Sequence, residues 1–296
     1  MSNFLDKILQ IIAIDPDQSR FIKKGMSGTL AMEIFAKVIL FVITLLLTNY
    51  LTADDYGRYS YLMGILISLA TFATFGLDDL LVKKMGVSDR SANDFNRPGL
   101  LWSIVLAIVV SIGFVFFSDR GVVSLYIGGA TILLTIQYMI SSILKGRRHI
   151  LSAQAPEQII RLGSFLALIL VQLFWLASYS LESIARAIFV SGLLSCLVSI
   201  FVLFKKERLD FILPKSSGFS LFRSEVLFFA ALSLFGVFRH KLDVLILGWN
   251  ELFVETGIYN ICSKLSDFIL IGLVLTNALY MPLFATQNDN PDKTRL

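Results

Sequence analysis

Residues 98–117 read PGLLWSIVLAIVVSIGFVFF, twenty consecutive positions without a charged side chain. An α-helix rises about 1.5 Å per residue and the hydrocarbon core of a bilayer is about 30 Å thick, so about twenty apolar residues cross it once. Similar runs recur along the chain, which is 56% hydrophobic and 16% charged, more apolar than an average soluble domain. The sequence therefore predicts an all-α, polytopic membrane protein.

Eight segments are long and apolar enough to be predicted as membrane spans. They lie at 28–51, 58–75, 98–117, 122–144, 157–176, 184–204, 226–249 and 257–284. Pro98 and Pro156 fall at predicted span starts, where a missing amide hydrogen costs least. Lys and Arg residues of the connections alternate between the two sides, with 18 on one side and 2 on the other. Because positively charged connections stay in the cytoplasm, both termini are predicted to be cytoplasmic.

A weak internal echo has an offset of 200 residues, since DDYGRY at 54–59 corresponds to VETGIY at 254–259. Six spans separate the copies, so both enter the membrane from the same side, as parallel repeats do. The predicted order is a cytoplasmic amphipathic lead-in at 1–27, a six-helix lobe at 28–204, a basic cytoplasmic linker at 205–223, the first two helices of a second lobe at 224–286, and a polar cytoplasmic tail at 287–296.

Ionisable side chains inside spans are the candidate functional residues, because each costs about 2.5–3.5 kcal/mol at the centre of the bilayer. Four opposite-charge pairs have the three- or four-residue spacing that puts both members on one helix face. They are Glu33 with Lys37, Glu157 with Arg161, Arg239 with Asp243, and Lys264 with Asp267. The pairs could serve only to lock helices together, or several of them could line a water-filled cavity that holds a polar or anionic substrate.

No catalytic, cofactor or metal site is predicted. Cys196 and Cys262 lack the spacing of a disulfide framework or a zinc site, and His149 and His240 stand alone. The connections, about 20 residues at most, are too short for a soluble catalytic or nucleotide-binding domain. The net charge of +4 comes from cations that flank the spans, where they face lipid headgroups rather than nucleic acid.

Three segments resemble the O-antigen and exopolysaccharide flippases of the multidrug/oligosaccharidyl-lipid/polysaccharide exporter superfamily. The segments are LTADDYGRYS at 51–60, FGLDD at 75–79, and LDVLILG at 242–248 leading to GIY at 257–259. The resemblance covers nearly the whole chain. It implies two six-helix bundles around a central cavity that opens alternately to either face and moves an undecaprenyl-pyrophosphate-linked oligosaccharide out across the bacterial cytoplasmic membrane. Relatives have more spans, so this chain is expected to be truncated or to be completed by a partner chain.

We therefore expect a lipid-linked oligosaccharide flippase in which Arg239, Lys241 and Lys37 attract the pyrophosphate, while Asp243 and Glu33 position these cations. Further predicted cavity cations are Lys264 and Arg161, with Asp267 and Glu157 as their charge partners. The predicted partners are the lipid-linked glycan and membrane lipids, and other glycan-assembly membrane proteins are further candidates.

Three alternatives remain open. A cation-coupled multidrug exporter would have the same fold, but the excess of cations in the seventh span argues against a pore for cationic drugs. A polyprenol-dependent glycan ligase or polymerase would need longer outer connections than this chain has. A nonfunctional remnant is favoured by the missing helices.

Overall fold

The computed structural model describes residues 16–87, 89–118, 121–176, 180–206 and 224–266. Within these ranges it is 94% helical and has no strand. The helices are α1 (Pro16–Tyr50), α2 (Ala53–Thr74), α3 (Leu77–Val87), α4 (Asp89–Phe117), α5 (Val122–Gly146), α6 (Ile150–Ala155), α7 (Arg161–Val171), α8 (Leu181–Lys206), α9 (Ser224–Trp249) and α10 (253–266). Two π-helical turns, Pro156–Ile160 and Gln172–Leu176, follow α6 and α7.

Five candidate membrane spans occur among the described residues. They are Gly28–Tyr50, Pro98–Phe117, Val122–Gly146, Ile150–Phe174 and Leu181–Lys206. Helix α2 and the Leu77–Lys84 part of α3 form a sixth if the 50° bend between them lies within one span. These helices confirm the prediction of an all-α polytopic membrane protein.

The seventh and eighth predicted spans have different outcomes. Helix α9 covers the seventh, but Arg239, Lys241 and Asp243 lie close together inside it, so it is not among the five apolar spans. Only the first part of the eighth, up to residue 266, lies within the described residues, where it forms part of α10.

The second span begins earlier than its hydropathy predicts. Thr52 caps α2 by accepting a hydrogen bond from the backbone N–H of Asp55, with 3.1 Å between nitrogen and Oγ1. Asp54 and Asp55 lie in the first turn, where carboxylates interact favourably with the helix dipole. Residues 53–57, which lie between the first two predicted spans, therefore form the start of α2. At the other end Phe75 and Gly76 both have positive φ, and this left-handed pair produces the bend into α3.

Pro156 lies inside the fifth span rather than at its start. Six residues of α-helix precede it, and the wider π-helical turn from Pro156 accommodates the proline within a continuing helix. The Pro156 carbonyl accepts a backbone hydrogen bond from Arg161 and a second one from the Ser195 hydroxyl, at 2.6 Å. Ser195 in turn accepts a hydrogen bond from the Gln137 amide, so this buried network connects α5, α8 and the π-helical turn. Pro98 likewise lies within α4, which begins at Asp89.

Helices α2 and α9 pack against each other in opposite directions. Gly248 at the end of α9 meets Tyr61 near the start of α2, whereas Phe229 near the start of α9 meets Gly76 after the end of α2. At Gly248 a Cβ would lie 2.1 Å from Cδ2 of Tyr61, so only glycine permits this separation. Lys84 of α3 and Glu225 of α9 form an ion pair beside this contact, with 3.1 Å between nitrogen and oxygen.

Candidate functional site

The two copies of the sequence echo lie directly against each other. A Cβ on Gly57 would be 1.6 Å from the carbonyl oxygen of Phe253, and a Cβ on Gly257 would be 3.4 Å from the carbonyl oxygen of Ala53. The counterparts of Gly57 and Phe253, 200 positions away, are Gly257 and Ala53. The two contacts are therefore equivalent under the repeat. Glycine is needed because the backbones of α2 and α10 approach so closely.

A second pair of contacts repeats this exchange. Gly64 meets Val244, since a Cβ on Gly64 would be 3.3 Å from Val244 Cγ1. Their counterparts also meet, because Lys264 Nζ donates a hydrogen bond to Thr44 Oγ1 at 3.0 Å. Exchange of this kind is the mark of a two-fold axis.

The axis passes near Ser60 and Asn260, which are each other's counterparts. Asn260 Nδ2 donates a hydrogen bond to Ser60 Oγ at 2.8 Å. We call the contact of α1 and α2 with α9 and α10 the two-fold seam. It supports the repeat predicted from the sequence, whereas the lobe boundaries at 204 and 224 remain predictions.

The seam holds a polar cluster around Lys264. The ammonium donates to Thr44 Oγ1 at 3.0 Å and to the Tyr56 hydroxyl at 3.4 Å. It lies 5.8 Å from the centre of the Tyr56 ring and 6.0 Å from that of Tyr59, within cation–π range. Asn260 Nδ2 is also 3.4 Å from the Tyr56 hydroxyl, which therefore accepts from two donors on α10. Thr44, Tyr56 and Tyr59 thus hold the ammonium at the seam.

The cluster is largely withdrawn from the protein surface. Thr44, Tyr56, Tyr59 and Ser60 have 5% or less of their surface exposed. Lys264 itself is half-buried. Buried hydroxyls and rings on α1 and α2 fix the position of a side chain that would otherwise be flexible, because each of them is itself held by packing. The site is therefore preorganised around one cation.

Arg161 lies at the start of α7, a helix that contacts the same cluster. Phe165, one turn after Arg161 on α7, stacks on Tyr59 with 6.4 Å between ring centres. Arg161 itself lines a small apolar cavity between α2, α5, α7 and α8, together with Met63 and Leu134. Tyr59 thus contacts both Lys264 and Phe165, and Phe165 lies one turn after Arg161 on α7.

Lys37 and Glu33 lie on α1, half-buried and one turn apart. Lys37 precedes Thr44 by seven residues, which places both on one face of α1 about 10 Å apart along its axis. Lys37 therefore extends the face of α1 that meets Lys264 towards the N-terminus of the helix.

The charged residues of α9 lie differently. Val237 and Val244 belong to the buried stripe of this helix, whereas Arg239 and Asp243 are exposed. Arg239 is about 200° around the helix from Val237, on the face away from α2. Lys241 is half-buried, and Asp243 accepts a hydrogen bond from the Tyr259 hydroxyl of α10. Their predicted roles in substrate binding remain predictions.

The other two predicted charge partners are Glu157 and Asp267. Glu157 accepts from Arg161 Nε through its backbone carbonyl, at 3.4 Å, rather than through its carboxylate. Asp267 lies outside the described residues.

The residues that hold Lys264 were not predicted from the sequence. Thr44, Tyr56, Tyr59, Ser60 and Asn260 are uncharged, and a search for ionisable groups inside spans passes over them. The echo did contain the necessary signal, because alignment at 200 residues puts Ser60 opposite Asn260 and Gly64 opposite Lys264. Both positions follow closely after the echoed segments, which end at Tyr59 and Tyr259.

The profile of the polysaccharide biosynthesis protein family matches residues 22–286. The chain belongs to this family. No curated protein and no solved structure matches the chain. The family match agrees with the flippase resemblance of the sequence and with a multi-pass membrane protein. It indicates a part in the export of polysaccharides or lipid-linked oligosaccharides, as a transporter rather than an enzyme.

Proposed function

We propose that this protein moves a lipid-linked oligosaccharide across the bacterial cytoplasmic membrane, and that Lys264 binds the diphosphate group of this substrate. The observation that carries the proposal is the position of the Lys264 ammonium, held at 3.0 Å from Thr44 Oγ1 and 3.4 Å from the Tyr56 hydroxyl on the two-fold seam. Such a cation attracts an anion more strongly than the same group in water, because the surrounding dielectric constant is low.

Two neighbouring cations support the same role. Arg161 lies one turn before Phe165, which stacks on Tyr59, and Lys37 lies on the face of α1 that carries Thr44. A diphosphate carries several negative oxygens, so it can interact with more than one cation at a time. We propose that Lys264 is the principal residue that binds the diphosphate and that Arg161 and Lys37 also contact it. In this proposal Arg239 and Lys241 do not contact the diphosphate directly.

The rings of Tyr56 and Tyr59 suit the remainder of such a substrate. Both flank the ammonium, and tyrosine combines an apolar ring with a hydrogen-bonding hydroxyl. We propose further that both termini face the cytoplasm, which rests on the distribution of Lys and Arg among the connections. The proposed partners of the protein are the lipid-linked glycan and the surrounding lipids.

A complementation experiment tests this function. Cells that lack the gene receive the wild-type chain, Lys264→Gln, or Arg186→Gln as a matched control. Arg186 is an exposed membrane-helix cation paired with Glu182 at 3.1 Å, far in sequence from the seam. We expect wild type and Arg186→Gln to restore the surface glycan, and Lys264→Gln to leave lipid-linked oligosaccharide on the cytoplasmic leaflet.

Two results would contradict the proposal. Full glycan export by Lys264→Gln, at wild-type protein levels in the membrane, would remove Lys264 from the site. Loss of the gene with normal glycan but increased drug sensitivity would instead support the multidrug exporter alternative.

A further inference from the structure

Three glycines let α2 and α9 approach each other closely at both ends of their contact and between these ends. They are Gly248 against Tyr61, Gly64 against Val244, and Gly76 against Phe229. A Cβ added at these three glycines would lie 2.1, 3.3 and 2.3 Å, respectively, from the nearest atom across the contact. Contacts this close hold two helices in one position, because any separation loses dispersion interactions along the whole contact.

The first turns of α9 are also fixed to the six-helix lobe by charged and apolar groups. Lys84 Nζ lies 3.1 Å from Glu225 Oε2, and Lys83 Nζ lies 5.5 Å from the centre of the Phe229 ring. Val226 is buried in a cluster with apolar residues of α3. Helix α9 is therefore attached to α2 and α3 at both of its ends.

In the equivalent half of the seam, between α1 and α10, larger residues replace two of these glycines. The counterparts of Gly248 and Gly64 are Thr48 and Lys264. Lys264 reaches Thr44 through a hydrogen bond of 3.0 Å. A lysine has a flexible four-carbon stem that can follow a movement of its helix, whereas a helix backbone packed against glycine cannot adjust in this way. The two halves of the seam therefore differ in how firmly they are held.

We infer that α9 stays attached to the six-helix lobe throughout transport, and that the α1–α10 half of the seam is the half that opens and closes. Transporters built from repeats expose their site to either face by rocking one packed body against another. The boundary between the moving bodies then lies in the turn between α9 and α10, and not in the linker that the sequence predicts at 205–223. Because Phe253 at the start of α10 is packed against Gly57, α10 turns about this end and moves most further along, towards Lys264. This assignment rests on the proposed function, since the movement is that of transport.

Two matched disulfides test which half of the seam moves. Tyr61→Cys with Gly248→Cys links α2 to α9. Tyr61 Cγ is 2.5 Å from a Cβ added at position 248. The two Cβ atoms therefore lie at most about 4 Å apart, which is within the range of a disulfide. Replacing the tyrosine also removes the ring that this Cβ would overlap.

The second disulfide is the equivalent pair 200 positions away. Thr48→Cys with Ile261→Cys links α1 to α10, and Ile261 packs against the buried cluster that contains Leu47. Both variants also carry Cys196→Ala and Cys262→Ser, because the exposed Cys262 is adjacent to position 261.

Cells that lack the gene receive each variant, are oxidised with copper phenanthroline, and are then assayed for newly made surface glycan. The same cells reduced with dithiothreitol are the control for each variant, so a folding defect is recognised before the disulfide is formed. We expect the α2–α9 disulfide to leave glycan export at the level of its reduced control. The α1–α10 disulfide should lower export several-fold, with recovery on reduction.

Loss of export on formation of the α2–α9 disulfide would overturn the inference, and so would undiminished export by chains cross-linked between α1 and α10. The rate of disulfide formation in isolated membranes gives a second measurement that does not depend on export. The α2–α9 pair should form faster because its helices stay in contact, and equal rates for the two pairs would also overturn the inference. Failure of the wild-type chain to restore the glycan would instead contradict the proposed function, and the two rates would still decide which half of the seam is fixed.

Discussion

Replacing Gly57 by alanine tests whether α2 and α10 meet as closely as the two-fold seam requires. The added Cβ would lie 1.6 Å from the Phe253 carbonyl oxygen and 2.4 Å from its carbon. Both neighbouring atoms belong to the backbone, so rotation of a side chain cannot relieve the overlap. The two helices would have to separate by more than 1 Å or so, which would also stretch the Asn260–Ser60 hydrogen bond.

The expected cost follows from two opposing effects. Overpacking a closely packed contact costs about 1–3 kcal/mol, and more when the backbone has to move. The greater helix propensity of alanine offsets up to about 1 kcal/mol of this. Gly236 on α9 has no atom within 4 Å of its added Cβ and serves as the matched control. We expect the free energy of unfolding of Gly57→Ala to fall about 2 kcal/mol below that of Gly236→Ala.

Thermal unfolding in detergent micelles, followed by tryptophan fluorescence, measures this difference as a lower Tm for Gly57→Ala. Gly257→Ala should lie between the two, because its added Cβ would be 3.1 Å from a movable Tyr56 ring atom and 3.4 Å from the Ala53 carbonyl. Equal Tm values for Gly57→Ala and Gly236→Ala would refute the reasoning, since they would show that α2 and α10 do not touch at this position.

Two further predictions concern other contacts. Ser195→Ala should lower the free energy of unfolding by about 1–2 kcal/mol, because it leaves the buried Gln137 amide and the Pro156 carbonyl without this partner. Ser199→Ala, which loses only a bond to its own helix, should cost clearly less, and equal costs for the two serines would contradict this role. Lys84→Glu should lower Tm by placing a second carboxylate beside Glu225, and the exchanged pair Lys84→Glu with Glu225→Lys should recover most of the loss. A double variant no better than Lys84→Glu alone would show that the ion pair does not form.

Hydropathy predicted the apolar helices well because a single physical requirement determines them. A helix that faces lipid on most sides must be apolar over the whole bilayer thickness, so its ends follow from composition. The span predicted at 98–117 ends where α4 ends, at Phe117, although this helix already begins at Asp89. Helix ends that depend on hydrogen bonds were placed less well. The Thr52 cap determines where α2 starts. The fifth span starts before Pro156 because a π-helical turn accommodates this proline inside the helix.

The charged residues were harder to place because helical spacing gives a face but not its neighbours. Four- and three-residue spacing predicted that opposite charges would pair along their own helices. Arg161 instead contacts a backbone carbonyl, and Asp243 contacts Tyr259 on the next helix. The spacing rule considers only opposite charges, whereas these two residues bind a backbone carbonyl one turn earlier and a hydroxyl on the next helix.

The difference between the two copies of the repeat shows where packing alone is insufficient. The contact between Gly64 and Val244 demonstrates that this position of the seam can be filled without any charge. Its counterpart nevertheless carries Lys264 beside Thr44, although a lysine within the bilayer costs about 2.5–3.5 kcal/mol. An apolar residue at position 264 would hold α10 against α1 at lower cost, as Val244 holds α9 against α2. The ammonium therefore serves a purpose that helix packing does not explain, and attraction of an anionic substrate is the purpose that we propose for it.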